Sequence, residues 1–281
     1  MIRVLKQSDA AALEAFLVQH RDSSMFLRAN AARGGIEFHG EAPQCLYCAA
    51  FRDSEIVGVV AHSWSGIVLV QAPESCAELA RACIADSGRA VTGFSGPLAH
   101  VRQARAALGL QSAPAQLDAA ERLYALELSA LRVPEALASG ALVCRAPLPS
   151  ERDGLCAWRL AYDIELLGAE DSAETRKRGA GFIDWQIAEK SAWVALENGV
   201  PVSLSAFNAS LPDIVQLGGI YTPPELRGRG YAKASVAGSL LAARARGASR
   251  AVLFTQNPSA ERSYRSVGFE LRGDYGLVLL R

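Results

Sequence analysis

One succession of elements can be laid along this chain twice, and that duplication limits its folds more than any other feature. From residue 142, the strand LVCRA (142–146) is followed by a helix opened by Pro149-Ser150, with Ser150 as N-cap, Asp153 three residues on, and the apolar stripe Leu155, Trp158, Tyr162, Leu166. A second helix starts near Ser172 and carries Phe182, Trp185 and Ile187. The hairpin WVALENGVPVSLSAF follows, its Asn198-Gly199 centre suited to a type I′ turn. A strand over 214–222, interrupted by Gly218-Gly219 where a bulge is expected, leads through ELRGRG into the helix YAKASVAGSLLAARARG. The strand AVLFT (251–255), a helix from Pro258 to Gly268 and a last strand or hairpin complete the order β-α-α-β-β-β-α-β-α-β.

The first half gives nearly the same order. A strand at 2–5 precedes helices over 9–20 and 25–33. The hairpin CLYCAAFRDSEIVGVVAHSW turns at Asp53-Ser54, and IVLVQAP, a helix over 76–85, the strand AVTGF, a helix over 101–108 and the strand RLYALEL follow. Two α/β domains in tandem are expected, 1–138 and 139–281, joined by a Pro, Gly, Ala and Ser-rich linker between Pro134 and Pro149. The GFSGP run at 93–97 reads as a strand-to-helix turn, with a residual ligand loop as the alternative.

Charge narrows the partners. The 281 residues carry 29 basic and 29 acidic side chains, so neither nucleic acid nor an anionic membrane surface is expected to attract the chain. No apolar run reaches bilayer length and the first residues form no signal-peptide core, which makes the cytoplasm the expected compartment. Only four basic residues are Lys, a bias that suggests a GC-rich bacterial genome. The one CxxC, Cys45 to Cys48, lacks a second ligand pair, so no metal site is expected and the six cysteines read as reduced, buried thiols.

The chemistry concentrates in GGIYTPPELRGRGYAKASV. A strand, a tight Gly/Arg turn and a helix start in immediate succession direct orphan backbone N–H groups at an anion. Gly228 and Gly230 let the main chain approach closely, Ala232 is small enough for the helix to begin against a phosphate, and Arg227 or Arg229 adds charge to the positive end of the helix dipole. Arg227-x-x-Gly230-x-Ala232 resembles the Q/R-x-x-G-x-G/A signature of the GNAT acetyltransferases. Asn257, Ala260, Tyr264 and Gly268-Phe269 resemble a second pattern of that family at the matching distance. The resemblance extends over 142–281, is densest at 214–270, and is also similar to the C-terminal module of glycine N-acyltransferase-like proteins.

The resemblance implies a mostly antiparallel twisted sheet flanked by helices, with a splayed central strand pair, in each of two GNAT-like folds. It implies acetyl-CoA as cosubstrate and transfer of acetyl to a primary amine of a small molecule, amino acid or peptide. The loop at Arg227, Gly228, Arg229, Gly230, Tyr231 and Ala232 would hold the diphosphate, Ile220, Tyr221 and Thr222 would offer backbone groups to the pantetheine arm, and Asn257 would adjoin the cofactor. Tyr264 would protonate the departing thiolate. No Cys falls in the loop or beside Tyr264, so direct attack is expected rather than a covalent acyl-enzyme. Ile214 stands where many relatives carry a glutamate base, which leaves Asp213, Glu165, Asp184 or water. All four histidines fall in the first half, and its equivalent loop, LVQAPESCAEL, has neither the Gly pair nor an arginine, so it is expected not to bind coenzyme A. Two alternatives stay open: a non-catalytic acyl-CoA sensor, and an N-acyltransferase using longer acyl groups. Monomer and homodimer are equally compatible.

Overall fold

A computed structural model describes residues 1–281. Its elements follow the expected order. The first half contains β1 (Ile2–Val4), α1 (Ala10–Gln19), α2 (Met25–Gly34), β2 (Cys45–Arg52), β3 (Glu55–Ser63), β4 (Ile67–Gln71), α3 (Cys76–Ser87), β5 (Gly93–Pro97), α4 (Leu98–Ala107) and β6 (Ala115–Glu127). A short helix α5 (Glu135–Ala138) precedes β7 (Val143–Arg145), α6 (Arg152–Leu167), α7 (Ala173–Ala188), β8 (Ala192–Glu197), β9 (Val200–Ser210), β10 (Ile214–Tyr221), α8 (Tyr231–Ala245), β11 (Arg250–Thr255), α9 (Pro258–Ser266) and β12 (Glu270–Leu280). This is a mixed α/β fold in which helices flank mainly antiparallel strands.

The chain forms two compact units, Met1–Leu123 with Arg272–Arg281, and Tyr124–Leu271. The division expected from sequence fell at 138/139. Residues 124–138 instead pack in the second unit, where Tyr124, Leu126 and Leu128 join its largest core cluster and Leu137 lies against it. The Pro134 to Pro149 stretch is correspondingly more than a linker, since it holds α5, β7 and the buried Leu142.

In the first unit β1 to β5 are sequence neighbours in the sheet, antiparallel except for the parallel pair β4/β5, and β12 lies antiparallel to β5. The hairpin at Asp53-Ser54 has both residues at positive φ, as its turn type requires. GFSGP, expected as a turn, is the strand β5 itself. Its glycines are demanded by close backbone approach: a β-carbon on Gly93 would stand 2.3 Å from the Val278 carbonyl oxygen, and one on Gly96 2.3 Å from that of Val70.

In the second unit the order is β7-β8-β9-β10-β11, antiparallel except for β10/β11. Helix α8 is rich in alanine, favourable for helix formation, and buries Ala234, Val236, Ala237, Leu240 and Ala243 against the sheet. One helix start agrees with expectation and one differs. Ser172 caps α7, its hydroxyl accepting the Thr175 N–H at 3.1 Å. Ser150 caps nothing, because a 3-10 turn over Pro149–Glu151 enters α6 through Glu151.

Candidate active site

The splay expected of the central strands is visible in the register of β10. Its parallel pairing with β11 covers Ile214↔Arg250, Val215↔Ala251 and Gln216↔Val252, then stops, although β10 continues to Tyr221 and β11 to Thr255. On its other side β10 shifts register against β9 between Gly218 and Tyr221. Gly219 sits at φ 64°, a left-handed conformation that glycine adopts without penalty. A β-carbon on Gly218 would run into the Asn208 side chain at 1.9 Å. The glycine pair therefore builds a bulge at the mouth of the splay.

The Gly/Arg turn lies at the end of this strand. A 3-10 turn over Pro224–Leu226 delivers the chain to Arg227, and Gly228 and Gly230 take φ values of 79° and 83°. Gly230 is the N-cap of α8, leaving the first N–H groups of that helix pointed out of its mouth. Arg227, Gly228 and Arg229 are exposed, Gly230 and Ala232 half-buried, and Tyr231 buried.

Arg227 is already engaged. Its Nε donates to the Thr222 carbonyl oxygen at 2.9 Å, and its terminal nitrogens donate to the two carboxylate oxygens of Glu165 at 2.8 and 2.7 Å. Each terminal nitrogen keeps one further N–H for another acceptor. The hydrogen bonds from Arg227 hold the Glu165 carboxyl below its ordinary pKa. Tyr231 donates its hydroxyl to Glu197 at 2.7 Å, and that bond raises the phenol's pKa.

Beneath the turn runs a buried set of hydroxyls absent from the sequence expectations. Thr222 Oγ1 donates to Ser203 Oγ at 2.9 Å, and Ser203 Oγ lies 3.0 Å from Ser235 Oγ and 3.3 Å from the Tyr221 carbonyl oxygen. Ser205 and Ser239 meet at 3.1 Å one helical turn further on. These contacts tie α8 to β9 and to the end of β10, fixing the height of the loop above the sheet. The Tyr221 and Thr222 carbonyls thus already have internal partners, and Ile220 is half-buried against the core of the second unit.

Asn257 is the N-cap of α9, its side-chain oxygen accepting the N–H groups of Ser259 and Ala260 at 2.9 and 3.3 Å. Tyr264 lies one face along the same helix, 7% exposed, with its ring edge-on to Phe269 at 6.1 Å between centroids.

The candidate bases fare unequally. Asp184 forms a bidentate pair with Arg152 at 2.6 and 2.7 Å, which lowers its pKa. Asp213 precedes the first residue of β10, whereas the splay and the loop lie past its middle and end. At about 3.3 Å per residue the strand puts Asp213 roughly 17 Å from the Gly218-Gly219 bulge, too far to take a proton there directly. A carboxylate that sequence reasoning passed over is Asp163 on α6, 1% exposed and packed beside Gly179 of α7. Its partner Arg159 lies one turn earlier on α6, with NH2 2.8 Å from Oδ1.

In the first unit the equivalent strand pair is closed. The β4/β5 pairing covers Ile67↔Gly93 to Leu69↔Ser95, and the tight approach of Gly96 to the Val70 carbonyl carries it further. At the end of β4 the Ala72 N–H donates to His100 Nδ1 at 3.3 Å, and Cys76 donates its thiol to the His100 carbonyl. In the segment equivalent to the Gly/Arg turn, the His100 ring therefore takes the Ala72 amide.

Residues 156–269 match the acetyltransferase (GNAT) family. No functionally curated protein matches the chain significantly. Among solved structures, a Drosophila protein is similar at 10% identity and TM-score 0.66, the alignment covering 99% of this chain and 98% of that one. A GCN5-related N-acetyltransferase from Sphaerobacter thermophilus is similar at 15% identity and TM-score 0.57, covering 99% and 94%. A tandem GNAT protein from the clavulanic acid biosynthesis pathway is similar at 14% identity and TM-score 0.52, covering 99% and 97%. At these identities the likeness concerns the fold. No helix is long and apolar enough to cross a membrane.

Proposed function

Residues 156–269 belong to the GNAT acetyltransferase family, and from that premise we propose that the second unit transfers acetyl from acetyl-CoA to the primary amine of a small molecule or peptide. The observation that carries this reading is the opening of β10 from β11 after Gln216↔Val252, directly before a turn with two left-handed glycines at the mouth of α8. The turn supplies amides, the helix dipole and the remaining N–H groups of Arg227 to a diphosphate. A pantetheine arm then runs into the splay along Ile220 to Thr222, and its thioester carbonyl meets the backbone at the Gly218-Gly219 bulge. A neutral amine attacks the carbonyl carbon, the tetrahedral oxyanion is held by a backbone N–H, the nitrogen loses one proton to water, and the C–S bond breaks as Tyr264 gives the thiolate a proton that the phenol regains from solvent. The first unit, with its strand pair closed and its loop amide on His100, acts as a partner without a cofactor of its own.

The test is Tyr264→Phe. It should lower kcat by about 100- to 10,000-fold with little change in coenzyme A affinity, as loss of one general acid does. Unchanged turnover would remove the tyrosine from the mechanism.

One observation favours a second reading, a non-catalytic acyl-CoA sensor. Glu165 on α6 and Asp184 on α7, the two helix carboxylates considered as bases, are both committed to arginines. Thiol release across a broad amine panel separates the two: release that depends on amine supports transfer, and tight binding without release supports a sensor.

A further inference from the structure

The buried face of α6 carries charge. Leu155, Arg159 and Asp163 follow one another at four-residue spacing, so one side of the helix presents an apolar side chain, a guanidinium and a carboxylate in line. The facing stripe of α7 is Thr175, Gly179, Ile183 and Gln186, all buried. Gly179 lets the two helices close on this pair: a β-carbon there would lie 3.3 Å from Arg159 Cγ and 3.6 Å from Asp163 Oδ2.

Three observations point to a ligand at this node. Arg159 Nε and Gln186 Nε2 are buried donors without a hydrogen-bond partner, and Gln186 is only 1% exposed. Both side chains converge on the bulge, since the point a β-carbon would occupy on Gly219 is 3.7 Å from Arg159 NH1 and 3.9 Å from Gln186 Nε2. Glycine leaves that point open. Third, the guanidinium is held for presentation. It lies 4.2 Å over the Phe182 ring and 5.1 Å from that of Tyr162, and Asp163 approaches NH2 at ion-pair distance but at an angle that makes no hydrogen bond. The side chain of Arg159 keeps 15% of its surface in contact with solvent, so the node is reachable.

Arg159 NH1 and Gln186 Nε2, the donor atoms that converge beside Gly219, suit an acceptor group from a ligand, Nε2 having no partner within the protein. A planar guanidinium beside an amide N–H suits the paired oxygens of a carboxylate. A dianionic phosphate fits worse, because the node's own charge is neutralised by Asp163. We propose that Arg159 and Gln186 receive a carboxylate of the amine acceptor beside Gly219, with Asp163 as the positioning residue, so that the acceptor is an amine bearing a carboxylate. The placement of an acceptor here rests on the acyl-transfer reading; the carboxylate subsite itself does not.

The experiment compares matched acids and amides, namely L-alanine, β-alanine and L-phenylalanine against alaninamide, β-alaninamide and phenylalaninamide. Two readouts are taken: kcat/KM with acetyl-CoA, and binding by saturation-transfer NMR without it. The variants are Gln186→Leu, which removes one donor, and Arg159→Met with Asp163→Leu, which removes both charges together and so leaves no buried ion unpaired. At least one acid should bind, and react, about tenfold or more better than its amide. Either variant should erase most of that preference while changing the amides less than about threefold. Amides bound as well as acids by the wild type, acids bound by neither readout, or variants that weaken both classes equally would each overturn the proposal. Acid-selective binding that the variants abolish, with no acetyl transfer to any amine, would uphold the subsite and refute the transferase reading instead.

Discussion

Glu165 and Arg227 present a choice that one pair of substitutions decides. Both side chains are substantially exposed, 39% and 44%, so their bidentate pair should stabilise the fold by no more than about 0.2–1 kcal/mol. Glu165→Gln should therefore leave folding nearly intact and release the Arg227 guanidinium toward a diphosphate. A gain of at most about 1 kcal/mol corresponds to coenzyme A binding that is unchanged or up to about fivefold tighter. Arg227→Ala removes charge-assisted hydrogen bonds of about 1.5–3 kcal/mol, so affinity should fall by about 10- to 150-fold. If Glu165 were instead the general base, Glu165→Gln would cost about 100- to 10,000-fold in kcat. Titration calorimetry with coenzyme A and thiol release with acetyl-CoA give the two numbers. A large fall in kcat at unchanged affinity for Glu165→Gln would identify Glu165 as the base and refute its role as a partner that only holds Arg227.

Two further outcomes concern the fold. In the first unit, desolvation raises the Glu121 carboxyl to a pKa of about 7 from an ordinary 4.5. A raised folded-state pKa gives stability that is complete below 4.5 and lost as pH rises through 7, about 3 kcal/mol in all, and Glu121→Gln should flatten that slope in urea denaturation; equal slopes in variant and wild type would contradict it. Burial also raises the thiols of Cys45 and Cys76 to about 11 and that of Cys144 to about 12, so a thiol-exchange reagent at pH 8 should modify them only at the rate of unfolding while all six react in guanidinium; rapid native modification of any of these three would falsify their placement.

The parts of this fold that announce themselves in sequence are those with local causes. Asn198-Gly199 fixes a hairpin through its left-handed preference, Ser172 caps a helix through its hydroxyl, and the Arg227 to Ala232 turn combines glycine freedom with a helix start. Nonlocal causes are harder to read. GFSGP looked like a turn because glycine and proline usually punctuate chains, yet Gly93 and Gly96 are there to let the carbonyls of Val278 and Val70 approach. The unit boundary was displaced because residues 272–281 and 124–138 find their partners far away in sequence. The Arg159 and Asp163 pair is masked by the neighbouring apolar stripe of α6, which by itself accounts for a buried face. The four-residue line from Leu155 through Arg159 to Asp163, opposite Gly179 and Gln186 on α7, was the available signal for charge on a buried face.

The stoichiometry of acyl-CoA binding tests the single cofactor site at Arg227 to Ala232 most directly. Titration calorimetry of the full chain with acetyl-CoA should give one equivalent per chain, lost when Arg227 and Gly230 are replaced together. A silent titration, or two equivalents with the second surviving those replacements, would contradict it.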